Sequence, residues 1–420
     1  MQFRSLATAV LMAYGAWCSM AAAEVPQDSP PGAPPEAIAK WRQMKFGMFI
    51  HWGPVSLKGT EIGWSRGKQV PVEEYDRLYL KFNPQEFDAE QWVKTAKNAG
   101  MKYIVFTSKH HDGFCMFDTK QTDYSIIHSP FARDVVKELA EACRKEGLAF
   151  GTYYSVCDWY HPDFPLGSPG GKTEKPNPNL DRYEQYLCRQ VEELIRHYGP
   201  LLTMWFDYPQ KFDAERGRRV HNFVRSLQPD ILINDRCGLP GDYATPEQKI
   251  GAMSADRPWE TCLTLCQQWA WKPDDEMKSF AECVRILVNV VGGDGNLLLN
   301  VGPMPDGRIE PRQAERLAQI GQWLERYGES IYGTRGGPFP RESWGASTQK
   351  DNTIYLHVLD RTLDQLQLPP LKRKIADCSV LTGGTATVKQ TAEAVEVVLP
   401  NVKDRQADTI VALQLAPEEQ

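Results

Sequence analysis

Six short apolar runs, separated by amphipathic helical stretches and each closing on polar or aromatic residues, constrain this 420-residue chain more than any other feature. They lie at 45–50, 103–107, 149–154, 201–207, 231–234 and 297–301. Runs of this length, bounded by turn residues and without polar alternation, read as strands buried on both faces of a parallel sheet. Between them the helical period returns. Trp92, Val93 and Ala96 share one face of 88–99, and Gly100 follows as a stop. Asp134 caps a helix in which Val135, Val136, Leu139, Ala140 and Cys143 recur at helical spacing up to Gly147. Further helices are predicted over 180–197, 211–227 and 277–291, and Pro311 opens a last one in its first turn. Alternation of this kind means βα units, and functional-looking residues follow at least six strands, so the chain predicts an α/β fold with a (β/α)8-like barrel over 41–336. Beyond Gly336-Gly337-Pro338 the pattern changes. β-Type runs at 353–359, 377–387, 394–399 and 408–415, with no long helix between them, predict a C-terminal antiparallel β-sandwich domain over 340–420.

The first 23 residues read as a secretory signal: Arg4, an apolar stretch from Leu6 to Trp17, then Ala21-Ala22-Ala23 before Glu24. The apolar stretch is well short of the roughly 20 residues that span a bilayer, so the expectation is an exported, periplasmic or secreted protein with no membrane span. Residues 24–40, proline-rich at 24–36, read as a disordered lead-in. A formal net charge of -6 argues against nucleic acid as a partner. Nine cysteines follow residue 23, scattered and odd in number, and read mostly as small buried hydrophobes. Cys262 and Cys266 have CxxxC spacing, but no second cluster follows at metal-site spacing.

The run Leu201 to Gln210, Leu-Leu-Thr-Met-Trp-Phe-Asp-Tyr-Pro-Gln, carries a buried strand directly into an acid flanked by aromatics. Asp207 has two readings: chemistry at a strand's C-terminal mouth, or the N-cap of the helix over 211–227. The other residues placed at strand ends are His51, His110, His111, Tyr154, Trp205, Trp259 and Glu260. Aromatic rings bind apolar sugar faces, and imidazole and carboxylate groups bind hydroxyls. Glycoside hydrolysis with retention needs one carboxylate as nucleophile and another as acid/base, roughly 5 to 5.5 Å apart. Asp207 and Glu260 fit those roles, with Trp259 desolvating Glu260 so that it keeps a proton. Three other readings stand beside this one. Three histidines and an aspartate suit a metal-dependent barrel hydrolase, although adjacent His110 and His111 point to opposite sides of an extended chain. Gly63-Trp64-Ser65-Arg66-Gly67 matches G-x-S-x-G but lacks the strand-turn-helix setting of a nucleophile elbow. The same aromatics and histidines also suit a protein that binds a sugar without cleaving it.

The stretch Phe46-Gly47-Met48-Phe49-Ile50-His51-Trp52-Gly53-Pro54 resembles the opening motif of the family 29 α-L-fucosidases. In family order follow Lys109-His110-His111-Asp112-Gly113-Phe114, Tyr153-Tyr154-Ser155, Trp205-Phe206-Asp207, Asn234-Asp235-Arg236, Trp259-Glu260-Thr261 and Gly295-Asn296-Leu297-Leu298-Leu299-Asn300. The resemblance runs from about Trp41 to Thr334. It implies an exo-acting, retaining α-L-fucosidase that needs no metal or other cofactor and acts on fucosylated oligosaccharides or glycoconjugates. By the motifs, Asp207 would be the nucleophile and Glu260 the acid/base, while His51, Glu61, His110, His111, Tyr154 and Trp205 would hold the fucose. Two departures stand out. Glu61-Ile62-Gly63-Trp64 replaces the Glu-Trp of many members, and Tyr208 occupies the position after the nucleophile where glycine is frequent.

Overall fold

The computed structural model describes residues 32–169, 173–399 and 407–417, so the leader and the first part of the lead-in lie outside the described residues. Seven parallel strands form one curled sheet: β1 (Phe46–Ile50), β2 (Tyr103–Lys109), β3 (Ala149–Ser155), β4 (Thr203–Asp207), β5 (Leu232–Ile233), β6 (Glu260–Thr264) and β7 (Asn296–Val301). Their order is β5-β4-β3-β2-β1-β7-β6. Helices accompany them: α1 (Pro35–Met44), the single turn α2 (Val72–Tyr75), α3 (Ala89–Asn98), α4 (Val135–Glu146), α5 (Leu180–Tyr198), α6 (Ala214–Leu227), α7 (Phe280–Gly292) and α8 (Pro311–Tyr327). The two-residue side-chain period of a strand divides the core in two. Phe49, Tyr103, Val105, Tyr153, Trp205, Leu232, Cys262 and Leu298 fill the concave side. Met48, Ile50, Ile104, Phe106, Phe150, Tyr154, Met204, Phe206, Leu297 and Leu299 join the apolar cluster that also takes in the inner faces of the helices. Burial on both sides is the reason these strands carry no polar alternation.

The full (β/α)8 barrel expected from the sequence is not formed. β5 is only two residues long, and the gap between it and β6 is crossed by an irregular segment, 242–248. That segment makes isolated bridges, Asn234 to Tyr243, Ala244 to Trp259 and Glu247 to Cys262, without becoming a strand. Its composition explains this: Pro246 has no amide hydrogen to donate, and Gln248 takes positive φ.

Helix starts follow the caps. Asp88, Asp134, Asn179, Asp213 and Ser279 each accept a hydrogen bond from the backbone N–H three residues on. The cap of α6 is therefore Asp213, and the reading of Asp207 as that cap falls. The expectation of a disordered lead-in does not hold over 35–40, where α1 begins at Pro35. Proline in a first helical turn removes a donor that has no helical partner there, so it does not signal disorder by itself. Trp41 of α1, 1 % exposed, lies with the concave cluster, its ring 4.6 Å from that of Tyr243. Below it Asp294 receives Arg42 at 2.5 Å, Arg335 at 2.7 Å and Lys45 at 3.5 Å.

After α8 come β8 (Arg335–Gly336), β9 (Gly345–Lys350), β10 (Thr353–Val358), β11 (Gln365–Leu368), β12 (Ile375–Val380), β13 (Thr387–Gln390), β14 (Val395–Val398) and β15 (Thr409–Leu415). They make two antiparallel sheets, β12-β15-β10-β9-β8 and β11-β14-β13. Ile354, Leu356, Val411 and Leu413 from one share an apolar core with Leu366, Leu368, Val395 and Val397 from the other. The described residues pack as one compact unit, so the change of architecture near residue 336 is no break in packing. At Gly292 an added Cβ would stand 2.5 Å from that of Ala346, which shows how closely α7 approaches β9. The nine cysteines among the described residues are free. Among the described residues no helix is long and apolar enough to cross a membrane.

Candidate active site

Asp207 is the last residue of β4, and inward parity shared with Trp205 and Thr203 turns its carboxylate into the mouth of the curled sheet. Its Oδ1 accepts from Arg236 Nη1 at 2.9 Å and from the Tyr208 N–H at 2.9 Å, and its Oδ2 accepts from the Tyr153 hydroxyl at 2.8 Å. Burial alone would raise this carboxyl, but Arg236 and Tyr153 hold it below the usual carboxylate range. It is ionised and aimed, as a nucleophile must be.

The same Arg236 Nη1 that binds Asp207 also donates to Glu247 Oε2 at 2.8 Å. Two oxygens bonded to one nitrogen cannot be farther apart than the sum of those bonds, so Arg236 holds the two carboxylates side by side at the mouth. The Asn-Asp-Arg motif builds this arrangement residue by residue. Asn234 clamps β4, its Oδ1 accepting from Phe206 N–H and its Nδ2 donating to Phe206 C=O. Asp235 accepts from the Thr245 N–H and hydroxyl, which holds the irregular segment close. Arg236 donates Nε to Thr245 Oγ1 and Nη2 to Thr245 C=O, and its guanidinium lies 4.9 Å from the Trp205 ring. Glu247, 43 % exposed, is the member of the pair that faces outward.

Three histidines line the same mouth. His51 Nδ1 donates to Asn300 Oδ1 at 2.7 Å, since the Asn300 amide nitrogen is already committed to the Trp269 carbonyl. His111 Nδ1 donates to Ser155 Oγ at 2.7 Å, because the serine hydrogen is taken by the Cys157 carbonyl. In both rings Nε2 is left as an acceptor. Burial pushes His51 down to about 3 and His111 to about 4, and lowers His110 as well, so all three are neutral. His111 Nε2 stands 3.7 Å from Asp207 Oδ2. His110 stacks on Tyr153 with 8° between the planes, 5.3 Å between centroids. The expectation that His110 and His111 diverge is overturned: their rings are 4.1 Å apart. The ladder slips between Thr107 and Lys109 and the strand ends there, so the pair no longer lies on an extended chain.

The family profile for α-L-fucosidases matches residues 25–329. The chain belongs to the α-L-fucosidase family. It is 30% identical over 351 residues to the plasma α-L-fucosidase of Homo sapiens, with 74% of each protein covered. Among solved structures it resembles α-L-fucosidase isoenzyme 1 from Paenibacillus thiaminolyticus, with 34% identity, a TM-score of 0.83 and coverage of 91% of this chain and 99% of that one. It also resembles a trapped covalent intermediate of a GH29 α-L-fucosidase from Bacteroides thetaiotaomicron formed with 2-fluoro-fucosyl fluoride, with 27% identity, a TM-score of 0.84 and coverage of 94% and 100%. The protein is a glycoside hydrolase.

For an α-L-fucosidase site, two of the residues expected from the sequence stand in the wrong place. Glu260 is the first residue of β6, at the N-terminal end of the sheet, and it is 1 % exposed. Its carboxyl binds the Trp205 Nε1–H at 3.0 Å and the Tyr103 hydroxyl, so both oxygens are engaged beneath the Trp205 ring. Burial pushes it up to about 7, but nothing lets a glycosidic oxygen reach it. Trp259 is not its desolvating partner: it faces the other way and donates Nε1–H to the Gly293 carbonyl. Tyr154 points to the helix side, where its hydroxyl donates to Gln190 Oε1 at 2.7 Å. Tyr153 is the tyrosine in the mouth.

The remaining expected residues do gather there, in differing ways. Trp205, stacked on Tyr153 at 5.6 Å, forms the floor under the carboxylate. Glu61 accepts from the N–H groups of Trp269, Ala270 and Ile62, so it pins the loop that sets Trp269 against His51, ring to ring at 4.8 Å. Arg236, Tyr153 and Glu247 are site residues that the residue pattern alone does not single out. The first two lie within quoted motifs, and Glu247 has no periodic signal at all. The competing readings find no support. Among the described residues no three of His, Cys, Asp and Glu come together as ligands for a metal ion. Ser65 is buried in a turn, with its hydroxyl accepting from Thr60.

Proposed function

We propose that this protein removes terminal α-L-fucose from fucosylated glycans by double displacement, with Asp207 as nucleophile and Glu247 as acid/base. The observation that carries the reading is the single Arg236 nitrogen bonded to both carboxylates at the mouth of the sheet. Asp207 attacks the anomeric carbon while Glu247 hands a proton to the departing oxygen; Glu247 then takes a proton from the water that releases the sugar. Tyr153 and Arg236 keep Asp207 charged until attack. The free Nε2 lone pairs of His51 and His111 accept hydrogen bonds from sugar hydroxyls, which a protonated imidazole cannot do. The partly exposed Trp269 ring offers apolar surface to the ring and methyl group of fucose, with Trp205 buried behind it. The test is the anomer first released from 4-nitrophenyl α-L-fucoside, followed by proton NMR before mutarotation. α-L-Fucose is expected; β-L-fucose would show inversion and remove the nucleophile from the scheme.

A further inference from the structure

Tyr208 follows Asp207 with φ of +52°, a left-handed conformation that bulky side chains rarely adopt. That conformation turns its N–H back onto Asp207 Oδ1. A glycine would do the same without strain, so the N–H does not explain why an aromatic residue stands here. The ring does not enter the core. It remains partly exposed at the rim, edge-on to Trp64 at 5.5 Å and 5.0 Å from the His111 ring, and its hydroxyl accepts from Gln210 Nε2 at 3.0 Å. Trp64, also partly exposed, stands edge-on to His111 at 5.5 Å and to Trp159 at 5.4 Å. The two rings make an aromatic wall at the mouth, whereas His51, His110 and His111 lie buried deeper.

We infer that Tyr208, backed by Trp64, is the surface on which the leaving group of the fucoside rests, and that it selects aglycones presenting a flat apolar face. This rests on the reading of Asp207 as nucleophile. If that carboxylate lies against the anomeric carbon, the next residue in the chain stands level with the bond being broken. Its exposure places it on the outer side of that bond, where the aglycone departs and not where the fucose hydroxyls go. Aromatic surfaces there favour an aryl group or the apolar face of a sugar ring.

The experiment compares 4-nitrophenyl α-L-fucoside, which has an aglycone to stack, with α-L-fucosyl fluoride, which has none. Tyr208→Gly keeps the left-handed backbone and the N–H and removes only the ring. Its kcat/KM is expected to fall roughly tenfold on the aryl fucoside, mostly through KM, and to change by less than about twofold on the fluoride. Tyr208→Phe is expected to restore the aryl fucoside. Equal losses on both substrates would place Tyr208 against the fucose itself, and no loss on either would make the ring idle; each result overturns the inference. Turnover of the fluoride by the unaltered protein tests the fucosidase reading separately, and if it failed, the inference would fall with it.

Discussion

Asp207 and Glu260 are two carboxylates on the same concave face of one sheet, and the protein treats them in opposite ways. At the mouth, Asp207 meets an arginine, a tyrosine hydroxyl and a backbone N–H, and stays charged. At the floor, Glu260 meets a tyrosine hydroxyl and an indole N–H but no cation, and burial raises it to about 7. Inward parity is therefore necessary for chemistry in such a sheet but not sufficient. The end of the strand decides. At the C-terminal end loops bring in Arg236 and Glu247, while at the N-terminal end α1 and Trp41 close the floor.

The sharpest way to break this comparison is to delete the two mouth carboxylates in turn. Asp207→Ala should lower kcat by roughly four orders of magnitude or more on every substrate, since no glycosyl-enzyme can form. Glu247→Ala should lose roughly 10²- to 10⁴-fold on natural glycans but far less on activated aryl fucosides, which depart with little protonation. Product stereochemistry with added azide separates the roles: α-azide from Glu247→Ala, β-azide from Asp207→Ala. Normal turnover of glycans by Glu247→Ala would return the acid/base role to another rim residue.

A smaller effect separates the neighbouring tyrosines. Tyr153→Phe removes a hydrogen bond to a charged group, worth about 1.5–3 kcal/mol, and should lower kcat/KM by roughly ten- to a hundredfold while moving its acid limb to higher pH. Tyr154→Phe removes only the bond to Gln190 and should cost about 1 kcal/mol in denaturant unfolding with unchanged kcat. If Tyr154→Phe proved the more damaging to catalysis, the inward face of β3 would be misassigned.

The smallest effect concerns the floor. Between its usual pKa of 4.5 and about 7, Glu260 in the folded protein keeps a proton that the unfolded chain has released. Its contribution to stability therefore falls as pH rises through that window. Glu260→Gln should flatten this part of the Tm-versus-pH curve, raise Tm at pH 8 relative to the unaltered protein, and leave kcat within about twofold. A loss of activity comparable to that of Glu247→Ala would put Glu260 back into the reaction.

Much of this was readable from the chain, and the failures have local causes. Asp207 could be found because a continuous apolar run ends on it, and the apolar runs, caps and glycine stops gave the helices and most strands. Tyr153 and Tyr154 differ by one position, and a residue string does not state which parity faces inward until the register with β4 is known. Trp259-Glu260 sits in a motif and beside a strand, but β6 starts at Glu260 where the sequence gives no sign of direction. Glu247 lies in a stretch without period 2 or 3.6, held in place by Thr245, Asp235 and Arg236, contacts that exist only after folding.

That irregular stretch has a consequence for how such a site diversifies. The nucleophile is locked to a ladder: inserting one residue within Thr203–Asp207 would send every following side chain of β4 to the opposite face. Glu247 rides on a segment tied down by side chains and single bridges, where an added or lost residue reverses no sheet face. One carboxylate is thus fixed by architecture and the other by loop wording, so on the proposed assignment a change of length within 242–248 would shift the proton donor while leaving the attacking residue where it is.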